Sequence, residues 1–112
     1  MKELKVNIIG LGYIGLPTAA ILADNSYEVF GTDINQNVVN TINDGNIHIT
    51  EPDLFELVNK SVKSGKLSAC TKPKPSDIYI ICVPTPLKKI DEQLVPQLSY
   101  VDAATRSLKT LL

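Results

Sequence analysis

The stretch of sequence that decides the fold is "NIIGLGYIGLPTAAILADNSYEVFGTDIN", residues 7–35. It carries three glycines within six positions of an otherwise apolar run: Gly10, Gly12 and Gly15. A β-prone run from Lys5 to Ile9 precedes the glycines, and an alanine-rich run from Ile14 to Ala23 follows them. Pro17 suits a helix only in its first turn. The pattern therefore predicts a strand, a glycine turn and a helix.

An acidic residue completes this pattern. Tyr27 to Thr32 predicts a second strand, and Asp33 stands at its end, eighteen residues after Gly15. A G-x-G-x-x-G turn between a strand and a helix, with an acid about 20 residues further on, is typical of dinucleotide binding. Gly10 then permits the tight turn, Gly12 lets the backbone approach a pyrophosphate, and Gly15 lets the helix pack against the strand. The alternative is an ordinary glycine-rich turn.

Asp33 favours NAD over NADP as the cofactor. A carboxylate at this point accepts hydrogen bonds from the adenosine ribose hydroxyls and repels the additional phosphate of NADP. Ile34 and Asn35 follow it, so no arginine stands there to neutralise that phosphate. Asp33 could instead cap the second helix, and the two roles can coexist.

The rest of the chain continues the alternation of strands and helices. Asn35 is predicted to cap a second helix that ends near Gly45. The apolar spacing of "EPDLFELVNKSVKSG" predicts a third helix, and "KLSACT" predicts a short strand. The continuous apolar run "IYIICV", ended by Pro84 and Pro86, predicts a strand that is buried on both faces.

A last helix is predicted near the end of the sequence. Ser99 and Asp102 resemble a capping box. The helix that they begin has one apolar face, formed by Val101, Ala104, Leu108 and Leu111.

These elements predict an α/β fold. We expect a Rossmann-like parallel sheet with strand order 3-2-1-4 and flanking helices. Such a fold normally continues beyond its fourth strand, so we expect residues 1–112 to be one incomplete NAD-binding domain, truncated relative to the full domain.

Composition excludes several classes of function. The 112 residues, 44% of them hydrophobic, suffice for one modest domain. Lysine and arginine number 11 against 12 acids, with no basic block, so no nucleic-acid partner is expected. Cys70 and Cys82 lie twelve residues apart, outside C-x-x-C spacing, and are expected to be reduced thiols of a cytoplasmic protein.

The apolar amino-terminal run superficially imitates a secretory leader. Lys2 and Lys5 precede an almost uncharged segment, Val6 to Ala23. The glycines and Pro17 interrupt it, Glu3 lies among the positive charges, and no small-x-small cleavage site follows. We therefore expect neither a targeting segment nor a membrane span.

Thr85 is the remaining candidate for cofactor contact. It lies in "VPTP", residues 83–86, at the carboxyl end of the fourth strand, where open α/β sheets bind ligands. The alternative is that the prolines only end the strand. His48 and Cys82 are interpreted as structural, and no catalytic or metal-ligating residue is assigned.

Four stretches together resemble the amino-terminal domain of the UDP-glucose/GDP-mannose dehydrogenase family, the nucleotide-sugar 6-dehydrogenases: "GLGYIGLPTA", "DIN", "EPDL" and "VPTP". The resemblance covers essentially the whole chain. Within the family, "GLGYIGLPTAA" together with "TINDGNIHITEPDL" is most similar to the branch that oxidises UDP-N-acetyl-D-mannosamine for bacterial surface polysaccharides.

The resemblance implies that Tyr13 and Ile14 lie against NAD, that Asp33 binds its ribose and that Thr85 also contacts it. Family members oxidise a sugar C6 alcohol to a carboxylate with two NAD, through a cysteine-bound thiohemiacetal and thioester. The resemblance also implies that the catalytic cysteine, lysine and asparagine of family members, and their UDP-sugar domain, belong to later segments. We therefore expect this chain alone to bind NAD without turnover, and the full-length enzyme to bind a UDP-sugar and form a homo-oligomer.

Other functions remain open from the sequence. The full-length enzyme could act on UDP-glucose, or the chain could be a non-catalytic module that senses NAD or NADH. A Rossmann-like methyltransferase also places glycines after its first strand and an acid after its second, although Gly15 and the Tyr13-Ile14 pair favour a dinucleotide.

Overall fold

Four parallel strands form the centre of the structure, a computed structural model that describes residues 4–112. Along the chain the elements are β1 (Lys5–Ile9), α1 (Gly15–Asp24), β2 (Glu28–Thr32), α2 (Gln36–Asn43), α3 (Leu54–Lys63), β3 (Leu67–Cys70), β4 (Ile78–Ile81), β5 (Leu87–Ile90), β6 (Gln93–Pro96) and α4 (Ser99–Ser107). The sheet order is β3-β2-β1-β4, with every pair parallel. The predicted Rossmann-like order 3-2-1-4 is confirmed.

The two faces of the sheet are covered unequally. Helices α1, α2 and α3 pack on one face, where β1 contributes Val6 and Ile8, which are almost completely buried. The opposite face carries Ile9, which packs against Ala104 of α4 and against Leu108, the residue directly after that helix. Because alternate residues of a strand point to opposite faces, β1 contributes to both hydrophobic clusters.

The second helix has the predicted cap. Asn35 has extended backbone, and its side chain accepts a hydrogen bond from the amide of Asn37 at 2.9 Å. Asn35 thus satisfies one of the free N–H groups at the start of α2. Asp33 does not cap this helix, so that alternative is wrong.

Two local predictions are wrong. Ile78 at the start of β4 is 42% exposed and the rest of that strand is only half-buried, because β1 is its sole neighbour among the described residues. The predicted capping box is absent, because Leu98 takes the cap position of α4 and Ser99 lies inside the helix. The side chain of Asp102 instead pairs with Arg106 one turn later, at 2.9 Å.

A β-hairpin, β5 and β6, follows the "VPTP" segment and was not predicted. Its two strands pair antiparallel, from Leu87 opposite Pro96 to Ile90 opposite Gln93. The turn residues Asp91 and Glu92 both have positive φ, 50° and 64°. This is the backbone pattern of a type I′ turn, which usually contains glycine or asparagine.

Among residues 4–112, no helix is both long enough and apolar enough to cross a membrane.

Candidate functional site

The candidate site lies at the carboxyl ends of the parallel strands, where the turn between β1 and α1 meets the ends of β2 and β4. The amide of Gly10 donates to the carbonyl of Thr32 at 2.7 Å, and the amide of Cys82 donates to the carbonyl of Ile9 at 2.7 Å. These bonds hold the ends of three strands together. Open α/β sheets bind their ligands at this edge.

Gly10 and Gly15 are required by close packing within the protein. Gly10 has φ of +98°, and a Cβ built there would lie 2.7 Å from the carbonyl oxygen of Cys82. A Cβ built on Gly15 would overlap the carbonyl oxygen of Gly10. The first glycine therefore makes the turn, and the third lets α1 begin directly against it, as the sequence predicted.

Gly12 is different, because no protein atom would crowd a side chain there. A Cβ built on Gly12 has nothing within 4 Å. The next two residues, Tyr13 and Ile14, are 61% and 70% exposed, and no side chain caps the start of α1. The start of α1 is thus open to a ligand, and such a helix terminus favours an anion.

Asp33 is fixed beside the glycine turn by two backbone amides. Its Oδ2 accepts from the amide of Leu11 at 3.1 Å, and its Oδ1 accepts from the amide of Asn35 at 2.9 Å. Each carboxylate oxygen has a second lone pair, so both can accept a further bond from a ligand hydroxyl. These two bonds therefore fix the position of the Asp33 carboxylate beside the glycine turn.

A largely apolar cavity of about 300 Å³ opens next to Asp33. The ends of all four parallel strands and one side of α4 form its walls. Its lining residues are Ile9, Gly10, Thr32, Asp33, Ile34, Thr71, Pro73, Val83, Pro84, Tyr100, Ala103, Ala104 and Ser107. Its size and its few polar groups suit part of a nucleotide.

Thr85 is exposed and lies just outside this cavity. Its neighbours Val83 and Pro84 line the cavity, whereas Thr85 does not. The structure therefore brings Gly10 and Asp33 together in the cavity wall and places Thr85 at the nearby rim.

The thiols and the single histidine do not form a reactive cluster. Burial raises the pKa of the Cys82 thiol above its ordinary value. The Sγ of Cys70 donates to the carbonyl of Lys72 at 2.9 Å, and His48 is exposed. Within residues 4–112, no group of three or more histidine, cysteine, aspartate or glutamate side chains could hold a metal ion.

Several residues of the cavity wall were missed from the sequence. Tyr100, Ala103 and Ser107 come from α4, and Thr71 and Pro73 come from the loop after β3. The spacing of α4 predicted an apolar face, but it gave no sign that the adjacent side of the helix would border a cavity.

Comparison with known proteins identifies the kind of chain to which this architecture belongs. The profile of the UDP-glucose/GDP-mannose dehydrogenase family, NAD binding domain, matches residues 4–112. An NDP-N-acetyl-D-galactosaminuronic acid dehydrogenase of Ralstonia nicotianae is 51% identical over 107 residues, 96% of this chain and 25% of that protein. The UDP-N-acetyl-D-mannosamine dehydrogenase of Escherichia coli K12 is 50% identical over 112 residues, 100% of this chain and 26% of that protein.

Solved structures agree with these relatives. The UDP-N-acetyl-mannosamine dehydrogenase Cap5O from S. aureus superposes with a TM-score of 0.92 at 41% identity, covering 96% of this chain and 26% of that one. A UDP-glucose dehydrogenase from Pyrobaculum islandicum gives 0.84 at 30% identity, covering 96% and 25%. The chain thus spans about a quarter of the length of the relatives that it matches.

Proposed function

The chain belongs to the UDP-glucose/GDP-mannose dehydrogenase family, and we propose that residues 1–112 form the NAD-binding part of a UDP-N-acetyl-D-mannosamine 6-dehydrogenase. The family is NAD-dependent, which makes NAD the cofactor of this domain. The observation that carries the proposal is the open space at Gly12, because protein packing explains Gly10 and Gly15 but leaves Gly12 unexplained. A pyrophosphate that approaches the backbone there explains the missing side chain.

The residues at the edge of the sheet fit a dinucleotide. Gly12 and the uncapped start of α1 offer space and N–H groups for the pyrophosphate. Asp33 offers acceptors for the adenosine ribose, and the adjacent apolar cavity offers room for the base. When bound, NAD supplies a hydride acceptor.

Asp33 also sets the choice between the two nicotinamide cofactors. Its carboxylate is held by the amides of Leu11 and Asn35, so it cannot swing away to admit a 2′-phosphate without losing both bonds. The adjacent side chain, Ile34, is apolar and 86% exposed. We therefore propose that this site selects NAD over NADP.

Tyr13, Ile14 and Thr85 complete the proposed cofactor site. The exposure of Tyr13 and Ile14 beside the glycine turn supports a contact with NAD. Thr85 follows two residues of the cavity wall, which supports a hydroxyl contact from the rim. None of the residues in this chain is proposed as catalytic.

This chain covers about a quarter of the relatives that it matches, and we propose that the full-length enzyme oxidises the C6 alcohol of a UDP-sugar to a carboxylate. UDP-N-acetyl-D-mannosamine is the proposed substrate. We propose that the full-length enzyme is a homo-oligomer that acts in the cytoplasm and supplies precursors of surface polysaccharides. The similarity to the Ralstonia enzyme supports an N-acetylgalactosamine-type sugar as the second candidate. The family match favours both over the methyltransferase alternative.

Calorimetric titration of the chain tests the cofactor proposal. NAD and NADH are expected to bind, NADP to bind at least about tenfold more weakly, and S-adenosylmethionine to show no binding. Tight binding of S-adenosylmethionine or equal binding of NADP would contradict the proposal. Sugar choice requires the longer protein, assayed with UDP-N-acetylmannosamine, UDP-N-acetylgalactosamine and UDP-glucose.

A further inference from the structure

Asn7 is a fully buried polar side chain in the middle of the central strand β1. Its exposed fraction is 0%, and its neighbours Val6 and Ile8 are apolar and equally buried. A buried amide costs free energy unless its donors and its acceptor are paired. The partners of Asn7 therefore indicate what this residue holds in place.

Asn7 has strong hydrogen bonds to two different segments. Its Nδ2 donates to the carbonyl of Phe30 at 2.9 Å and to the Oγ1 of Thr32 at 2.8 Å. Its Oδ1 accepts from the backbone amide of Lys74 at 2.8 Å. The donors thus hold β2, and the acceptor holds the loop between β3 and β4.

That loop, residues 71–77, crosses the sheet without a helix. It begins at one edge strand, β3, and ends at the other edge strand, β4, so it must pass β2 and β1. It starts at the cavity with Thr71 and Pro73, and it ends where the amide of Asp77 donates to the carbonyl of Lys5 at 2.9 Å. The bond from Lys74 to Asn7 fixes the middle of this crossing.

Both segments that Asn7 holds lead to the cavity beside Asp33. Thr32 lines the cavity and is only 3% exposed. Thr71 and Pro73, just before Lys74, form another part of the cavity wall. Asn7 itself does not line the cavity, so any effect on a ligand must act through these neighbours.

We propose that Asn7 is a positioning residue, which fixes Thr32 and the 71–77 loop so that the cavity beside Asp33 keeps the shape of the adenosine half of NAD. This inference rests on the proposed function, because it takes the cavity beside Asp33 to hold that half of the cofactor. Loss of the Asn7 bonds lets the loop move at Lys74, and the wall at Thr71 and Pro73 moves with it.

The test measures ADP-ribose affinity of the 112-residue chain by calorimetry, at a temperature where circular dichroism shows each variant folded. Asn7→Ala removes all the bonds of the side chain. Lys74→Pro removes the backbone N–H that donates to Asn7, together with the lysine side chain, and Lys74→Ala is its matched control, because it loses the same side chain and keeps that N–H. Pro75 already restricts Lys74 to extended conformations, which proline also adopts.

We expect Asn7→Ala and Lys74→Pro to bind ADP-ribose about tenfold more weakly than the parent, and Lys74→Ala to bind within about twofold. Asn43→Ala is the control for general loss of stability. Asn43 makes two bonds to the backbone of Ala69, at 2.9 and 2.8 Å, and is not among the residues that line the cavity. A merely structural role for Asn7 would give Asn43→Ala the same loss of affinity.

Lys74→Pro binding within threefold of Lys74→Ala would overturn the inference, and so would an equal loss in Asn43→Ala. If Asn7→Ala does not fold, the Lys74 pair decides. If the parent chain binds neither ADP-ribose nor NAD, it is the proposed function that fails, so the two failures are distinguishable.

Discussion

At the scale of single residues, the three glycines of the turn divide into two kinds. Packing within the protein requires glycine at positions 10 and 15. A Cβ on Gly10 would meet the backbone of Cys82, and a Cβ on Gly15 would meet the backbone of Gly10. Gly12 has open space around it, so protein packing does not explain the absence of a side chain there, whereas a bound ligand does. Substitutions at Gly12 should therefore affect ligand binding, whereas substitutions at Gly10 or Gly15 should affect the stability of the fold.

We expect Gly12→Val to abolish NAD binding while the unfolding temperature changes little, since the new side chain would occupy the space for the pyrophosphate. Gly15→Ala should instead destabilise the fold, by about 1 to 3 kcal/mol or more, since its Cβ would overlap the carbonyl of Gly10. Calorimetry and thermal unfolding measure the two effects.

Thr85→Val, which removes one exposed hydroxyl, should weaken NAD binding only a few-fold. Equal loss of binding in Gly12→Val and Thr85→Val would point to general misfolding.

Asp33→Ala should weaken NAD binding at least about tenfold, because a charge-assisted hydrogen bond contributes about 1.5 to 3 kcal/mol. It should also narrow the preference for NAD over NADP, because the repulsion of the 2′-phosphate disappears. Asp33→Asn is the matched control, since its amide oxygen still accepts one bond but carries no charge. Unchanged affinity for NAD in Asp33→Ala, measured by the same titration, would rule out the ribose contact.

At the scale of elements, the sequence predicted the parallel sheet and its order because each of the four strands in that sheet has a strong local signal. The glycine turn follows β1 directly, and Asn35 caps α2 as expected. The strand β4 and its place beside β1 are as predicted, and only its expected burial on both faces was wrong, because an apolar run does not reveal whether its strand is central or at an edge. The role of Asn7 was also invisible, since its partner Lys74 lies 67 residues away.

The hairpin was missed for a chemical reason. A type I′ turn needs two residues with positive φ, and the usual signal is Asn-Gly or Asp-Gly. Here the turn is Asp91-Glu92, with φ of 50° and 64°. The strands β5 and β6 pair only with each other in the described sheets, and a single hairpin is marginally stable in water. The local sequence therefore favours the hairpin only weakly.

Glu92→Gly should stabilise the hairpin, because a non-glycine residue in the left-handed region costs roughly 1 kcal/mol. Hydrogen exchange of the amides of β5 and β6 should slow about fivefold, while NAD affinity stays unchanged. Glu92→Ala is the matched control, since it removes the same charge and retains the unfavourable φ. Equal exchange rates in the two variants would contradict the turn assignment.

At the scale of the whole molecule, the chain carries the proposed cofactor site and no residue that is proposed as catalytic. The proposed site lies at one edge of the sheet, and the chain spans about a quarter of the length of its dehydrogenase relatives. Hydride transfer requires the sugar alcohol to be held against the cofactor together with a base, and formed sites gain much of their rate from this positioning. Binding and turnover should therefore separate in these 112 residues.

We expect the chain, saturated with NAD, to form no NADH from UDP-N-acetylmannosamine. Neither thiol is suited to the covalent step, because burial raises the pKa of Cys82 and so lowers its thiolate fraction at neutral pH, and the Sγ of Cys70 is hydrogen-bonded to the carbonyl of Lys72. The assay follows the absorbance of reduced nicotinamide, with NAD binding confirmed by calorimetry on the same sample. A double variant, Cys70→Ala with Cys82→Ala, provides the control. Steady turnover that survives in the double variant would require a mechanism without a cysteine nucleophile, and would show that the nucleotide site of this chain also positions the sugar.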